Sequence, residues 1–589
     1  MCIFHTRRVS RTRAWPRFAA VLVALIFLAG CKSHATPRLL VVISIDQFRA
    51  DYLRRFEDLF LPARSLSGSG GFRYLMEQGA YFEDAHQDHL PLYTAPGHSV
   101  ILTGASPYKS GIVGNDWYDR KLGRRRYAVE DCTKKLVGTP WQTCDSKDSR
   151  FNPGISPAAL RVSTLGDQMK LHYGRRAKVW GLALKDRAAV LMAGHTADGV
   201  IWFDDNTGFW ISSTAYFPED RLPDWLSKWN AKRTVDSYFG KKWELSVPPA
   251  SLDRLWKTVF DHANSKLSLG TRFPHHITAG LVEPDKNFYT AFTISPFGNE
   301  YVFQTAREII EQESLGKDGV PDLLTMSLSS NDHAGHQYGP DSPEVLDVTV
   351  RTDRLLAEFF RFLDSRVGLS NVIIVVTADH GVSSNSKLLR EMGMPAGIYS
   401  TESICNSARE ALQRQLGPGE WIYGKAGAGE SKNLANGCVE ETIYLNRELL
   451  SRRNIPAERA EQIVREAIEE TPGIYTVFTR SQILKGQVPR TNIGERILRS
   501  YHPSVSADVI YLGESFWTPS EYTLGATHGS AYNYDTTVPL LIAGQGVEAR
   551  IHTERVSIMD LAPTLASRLH TLQPSGADGK ILDLNKREP

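Results

Sequence analysis

A chain of 589 residues can bury a large core, and its 42% hydrophobic, 23% charged composition is that of a globular protein. The formal charge of +2 falls to −3 once the five arginines of the first 30 residues are set aside. That leaves no basic footprint for nucleic acid, and no biased tract or internal repeat marks a fibrous or solenoid chain.

The N-terminus differs from the rest. Arg7, Arg8, Arg11, Arg13 and Arg17 form a basic start, and residues 18–30 carry no charge. That apolar run is too short to cross a bilayer as a helix but suits the core of a signal peptide, so residues 1–30 are expected to direct export. Leu28-Ala29-Gly30-Cys31 resembles a bacterial lipobox, which predicts a lipid anchor at Cys31 and a membrane-anchored periplasmic lipoprotein. The alternative is cleavage after Ala35, where Ser33-His34-Ala35 fits the small-x-small rule and releases a soluble protein.

Beyond the leader, five β-rich apolar runs read as buried parallel strands: Leu39–Ile45, Val179–Leu184, Leu323–Leu328, Val372–Thr377 and Val538–Ile542. Each is nearly continuous rather than alternating, as for strands covered on both faces. Helical patterns lie between them. The clearest opens at Ser342-Pro343-Glu344 and runs through Leu355, Leu356, Phe359, Phe360 and Leu363. Together these predict an α/β fold, a mostly parallel central sheet with helices on both faces, forming a single catalytic domain over 38–589.

Two stretches interrupt that alternation, near 116–153 and 394–517, and are expected to be caps on the substrate side. They hold Cys132, Cys144, Cys405 and Cys438. An even number of cysteines in an exported chain suggests two disulfides, and three pairings are open. Nearest neighbours are the expected partners, because each pair falls in one polar, loop-like region. A cysteine zinc site is the alternative, although no close Cys-x-x-Cys pair supports it.

The chemistry gathers just past the strands. Asp46 follows the first, Ser329 to His336 the third, Ala378-Asp379-His380-Gly381 the fourth, and Thr527-His528-Gly529 lies near the last. Carboxyl ends of strands are where open α/β sheets bind ligands. Asp332 and His336 are four apart, one helical turn, and so share a face. Asp and His donors without Cys suit zinc in an open catalytic site.

The series Ile45-Asp46-Gln47-Phe48-Arg49, Thr94-Ala95-Pro96-Gly97-His98, Asp332-x-x-x-His336, Asp379-His380-Gly381 and Thr527-His528-Gly529 resembles the alkaline phosphatase superfamily in order and spacing. The resemblance implies two zinc ions. One would take Asp332, His336 and His528; the other would take Asp46, Asp379 and His380, with the oxygen of Thr94 beside it as nucleophile. Sulfatases of that superfamily carry Cys or Ser in a Cys/Ser-x-Pro-x-Arg context, which Thr94-Ala95-Pro96-Gly97-His98 lacks.

Leu184-Lys185-Asp186-Arg187 bears on which ester is cleaved. At a strand end, residues two apart point to one side, so Lys185 and Arg187 can converge on a single anion. Two extra cations suit the dianionic phosphoryl group of a monoester better than the single charge of a diester. The pair also resembles the phosphate-irrepressible alkaline phosphatase branch, whose phosphate-binding Asn is matched by Asn115. The expectation is therefore an exported zinc alkaline phosphatase, a monomer acting on small-molecule phosphate monoesters through a phospho-threonine. The alternative is a phosphodiesterase or nucleotide pyrophosphatase using the same site.

Overall fold

A computed structural model of the chain describes residues 36–66, 68–144, 152–255, 269–278, 280–424 and 436–585. The leader 1–30, Cys31 and Ala35 lie outside the described residues. Ten strands build the main sheet: β1 (Leu39–Ile45), β2 (Ala80–Phe82), β3 (Leu136–Val137), β4 (Val179–Ala183), β5 (Gly199–Asp204), β6 (Phe209–Ser213), β7 (Asp322–Leu328), β8 (Val372–Thr377), β9 (Leu540–Gly544) and β10 (Arg550–His552). Their order is β10-β2-β9-β8-β1-β7-β4-β5-β6-β3. The middle five, β8-β1-β7-β4-β5, run parallel.

Every residue of β1, β7 and β8 is buried. Successive side chains of a strand point to opposite faces, so full burial means that both faces are covered. Burying the six apolar side chains of β1 contributes on the order of 10 kcal/mol before the entropy of ordering is set against it.

Eight helices matter here: α1 (Thr94–Thr103), α2 (Asp186–Ala193), α3 (Pro296–Gln312), α4 (Ser330–Tyr338), α5 (Pro343–Arg366), α6 (Thr401–Leu416), α7 (Ala457–Glu469) and α8 (Asn492–Ser500). α2 packs on β4, β5 and α1, whereas α3 packs on β7 and α5. α5 begins where its sequence says: Ser342 is the N-cap, its hydroxyl accepts from Val345 N at 3.2 Å, and Pro343 opens the helix. Among the described residues no helix is long and apolar enough to cross a membrane.

One of the five expected parallel strands is different. The last spans Leu540–Gly544 rather than Val538–Ile542, and it runs antiparallel to β8 and β2. A continuous apolar run reports burial of both faces and carries no information about direction. The reversal has a consequence for the site. The start of β9, not its end, lies at the carboxyl edge of the parallel strands, so the chain leading into it delivers His528 there.

The 394–517 segment has its own apolar core, with Ile404, Ala408 and Leu412 of α6 against Ile463, Val464 and Ile468 of α7. They cover a four-stranded sheet ordered Cys438–Val439, Thr442–Ile443, Val509–Gly513, Ile474–Thr479. The disulfides are Cys132–Cys144 and Cys405–Cys438, the nearest-neighbour pairing. The expected reason holds only in part, because Cys405 is buried on α6 rather than in a loop.

Candidate active site

Asp46, Lys185, Asp332, Asp379 and His380 all follow the carboxyl ends of the parallel strands, and α1 and the 527–529 loop complete the ring around them. The ligand atoms of Asp46, Asp379 and His380 lie within 4.8 Å of one another, and so do those of Asp332, His336 and His528. The first trio is wholly buried. The second opens toward a cavity of about 500 Å³, lined in part by Tyr93, Glu440, Glu441 and Tyr522. The rings of His380 and His528 stack at 3.5 Å, which joins the two trios.

The imidazoles share one orientation. Nδ1 of His336 meets the carbonyl of Ala526 at 2.8 Å, that of His528 meets Leu92 at 2.6 Å, and that of His380 meets Gly381 at 3.0 Å. Each Nδ1–H donates to the backbone, and each Nε2 turns to a carboxylate: His336 and His528 to Asp332 at 3.3 and 3.6 Å, His380 to Asp379 at 3.2 Å. This is how metal-binding histidines are fixed, with the tautomer set by the second nitrogen. Beyond Lys185 the buried Asp46 carboxylate accepts no hydrogen bond, and His380 Nε2 makes only ion-pair approaches, to Asp379 at 3.2 Å and to Asp46 at 3.6 Å, with no aligned hydrogen bond. Orphaned buried donors and acceptors of this kind call for an ion. The residues present therefore fit two divalent metals.

The electrostatics show the same demand for positive charge. Burial, reinforced by Asp332 and Asp379, pushes the Asp46 carboxyl up to about 6. Burial works against the His380 imidazolium, yet Asp379 overrides it and raises the group to about 9. Burial with the charges of His380 and His336 holds His528 well below the usual histidine range. Lys185, whose side chain is 9% exposed, puts Nζ 2.6 Å from Asp46 and 2.5 Å from Asp332. One ammonium thus bridges a carboxylate of each trio.

Thr94 is the first residue of α1 and is 1% exposed. Its position at a helix N-terminus puts the positive end of the helix dipole beside its hydroxyl. Arg187 Nη2 lies 3.4 Å from Thr94 Oγ1. Asn115 Oδ1 accepts from Ala95 N at 2.8 Å, which leaves the amide nitrogen of Asn115 free to donate elsewhere.

The expected geometry of the cation pair is corrected. β4 ends at Ala183, Lys185 is the N-cap of α2, and Arg187 sits in the first turn of that helix. The two reach the site from a strand–helix junction, not by alternation along a strand.

Two neighbours escaped the sequence reading. His98 stands 3.0 Å from Asp379 Oδ2 and meets Ser327 Oγ at 2.8 Å, so α1 props a ligand as well as carrying Thr94. Its four-residue spacing from Thr94 was the available signal. Gly97 permits this approach, since a Cβ there would lie 2.4 Å from the Asp379 carbonyl oxygen. Tyr127, from the hairpin Asp116–Asp119/Arg124–Tyr127, accepts from Arg187 Nη1 at 3.1 Å and donates to Asp186. Nothing in the sequence marks Tyr127.

Comparison with known proteins agrees with this geometry. The model of the type I phosphodiesterase / nucleotide pyrophosphatase family matches residues 40–483. Alkaline phosphatase PafA of Elizabethkingia meningoseptica is 31% identical over 95% of this chain and 97% of its own. Alkaline phosphatase PhoV of Synechococcus elongatus is 32% identical over 93% and 92%. The crystal structure of wild type PafA superposes with a TM-score of 0.82 and covers 93% of this chain and 98% of that one. The chain belongs to the type I phosphodiesterase / nucleotide pyrophosphatase family, within the alkaline phosphatase superfamily.

Proposed function

We propose that this protein is an exported phosphate monoesterase that transfers the phosphoryl group to Thr94 and then to water, with zinc in both ligand trios. One observation carries the reading: two Asp/His trios bracket a buried lysine, and an arginine reaches the hydroxyl of Thr94. The alkaline phosphatase relatives over nearly the whole chain support the same chemistry. Zinc is favoured because the donors are Asp and His in small number, whereas magnesium prefers six oxygens. Export is supported by the leader-like residues 1–30, with the lipid anchor at Cys31, and by two disulfides, which persist in oxidising compartments. The enzyme acts as a monomer on small-molecule esters.

Asp46, Asp379 and His380 would hold one zinc, with Thr94 beside it, and Asp332, His336 and His528 the other. When bound, the pair supplies Lewis acidity that favours the alkoxide of Thr94, neutralises charge on the leaving oxygen and lowers the pKa of water. The residues do the rest. Thr94 Oγ1 attacks phosphorus as the leaving oxygen departs on the opposite side, toward the cavity beside His528. Arg187, held by Tyr127, and Asn115, held by Ala95 N, donate to the non-bridging oxygens. Lys185 adds a third donor and the second cation. Water then cleaves the phospho-threonine and restores the hydroxyl.

The second reading, diester hydrolysis, is favoured by the family description. Arg187 and Lys185 argue the other way, because their charge matches a dianion. Turnover of an aryl phosphate monoester and of its bis-aryl diester by the zinc-loaded protein decides between them. A higher kcat/KM on the monoester is expected, and a higher value on the diester would reverse the assignment.

A further inference from the structure

Gln47 stands between the two ligand trios and belongs to neither. Its φ of 63° is left-handed, a conformation that side chains with a Cβ adopt rarely and at a cost, and the residue is 2% exposed. That backbone turn directs its N–H to Asp379 Oδ1 at 3.2 Å, while its side-chain Nε2 donates to Asp332 Oδ1 at 2.8 Å. One residue therefore holds a carboxylate from each trio.

The opposing surface is built around that amide. Gly335 lies one residue before His336 on α4, and a Cβ placed there would come within 1.7 Å of Gln47 Oε1. The Oδ1 that accepts from the amide is also the oxygen that faces His336 and His528, at 3.3 and 3.6 Å, while Oδ2 of Asp332 turns to Lys185. Glycine at 47 would adopt the same backbone without strain. A glutamine kept at this φ, facing a glycine that makes room for it, has a use for its side chain.

We propose that Gln47 is a positioning residue that sets Asp332, and with it the metal of the Asp332–His336–His528 trio, in register with the Asp46–Asp379–His380 trio. The inference rests on the proposed function only in taking both trios as zinc sites.

The test is zinc retained per chain after equilibrium dialysis against a series of zinc buffers, together with the melting temperature of the metal-free protein. Gln47→Gly keeps the left-handed backbone and the N–H to Asp379 but removes the bond to Asp332. One of two binding steps, the one abolished in His336→Ala, should move to roughly 10- to 100-fold higher free zinc. The other step should stay, and the melting temperature should not fall. Gly335→Ala, which presses a methyl against the amide, should move the same step in the wild-type background and move nothing further in Gln47→Gly.

Unshifted steps in Gln47→Gly, equal shifts of both with a lower melting temperature, or additive shifts in the double variant would each overturn the proposal. If Gly335→Ala does not fold, the selective shift in Gln47→Gly decides alone. Because the titration reads bound metal, failure to hydrolyse phosphate esters would sink the proposed reaction and leave this result standing. Fewer than two zinc ions on the wild-type chain would overturn both.

Discussion

Removing Arg187 should separate monoester from diester hydrolysis. Its guanidinium spans from Thr94 Oγ1 at 3.4 Å to Tyr127 Oη at 3.1 Å, so it is fixed beside the hydroxyl proposed to take the phosphoryl group. A charge-assisted donor aimed at a developing anion in a sheltered site is worth about 2–4 kcal/mol in the transition state. At 1.36 kcal/mol per tenfold, Arg187→Ala should lower kcat/KM for a monoester roughly 30- to 1000-fold. A diester places less charge on its non-bridging oxygens and should lose about tenfold less. Arg187→Lys should recover only part, since the charge returns but the planar fork does not. Tyr127→Phe, which releases one arm of the guanidinium, should cost about 0.5–1.5 kcal/mol, or roughly 2- to 10-fold. The assay is kcat/KM on a matched aryl monoester and bis-aryl diester for each variant. Equal losses on the two substrates would show that Arg187 supports the fold rather than the phosphoryl group.

Three further outcomes are expected. Chelation should abolish activity and zinc should restore it better than magnesium, while the fold persists, because a chain of this size has its own core; equal rescue by magnesium alone would count against zinc. Thr94→Ser should retain substantial turnover because the hydroxyl stays, and a near-wild-type rate in Thr94→Ala would remove Thr94 from the mechanism. Stability should also depend on Asp353, whose carboxylate accepts from Leu61 N and Phe72 N at 2.8 and 2.7 Å and is pushed up by burial to about 6. A folded pKa above the unfolded 3.8 means stability that is fully present below 3.8 and lost as pH rises through 6. Asp353→Asn cannot ionise, so its unfolding free energy should gain on wild type between pH 4 and pH 8, by on the order of 1–3 kcal/mol, and a difference constant with pH in denaturant unfolding would refute the shift.

Asp46, Asp332, Asp379 and His380 were legible because each lies just past a buried apolar run, whereas His528 precedes its strand and was read from the Thr527-His528-Gly529 motif. Asp332 and His336 declared their shared face by spacing alone. The rest depended on contacts between distant segments. The direction of β9 is set by the route of the chain through the cap, so its apolar run could not reveal it. Arg187 was expected on a strand and lies on a helix, because the boundary falls at Ala183 and the pattern Leu184–Arg187 is compatible with either. Asn115 was visible only through a family resemblance. Tyr127 and Gln47 act across 60 and 285 positions of sequence, on Arg187 and Asp332 respectively, and such partnerships leave no local periodicity.

The proposed function requires that Thr94 become covalently phosphorylated between the two trios. The most direct measurement is peptide mass spectrometry of zinc-loaded protein quenched in acid during turnover of an aryl phosphate monoester. A phosphorylated peptide containing Thr94, absent in Thr94→Ala and in chelated protein, is the predicted result. Steady turnover with no phosphate on Thr94, or with phosphate on another residue, would contradict it.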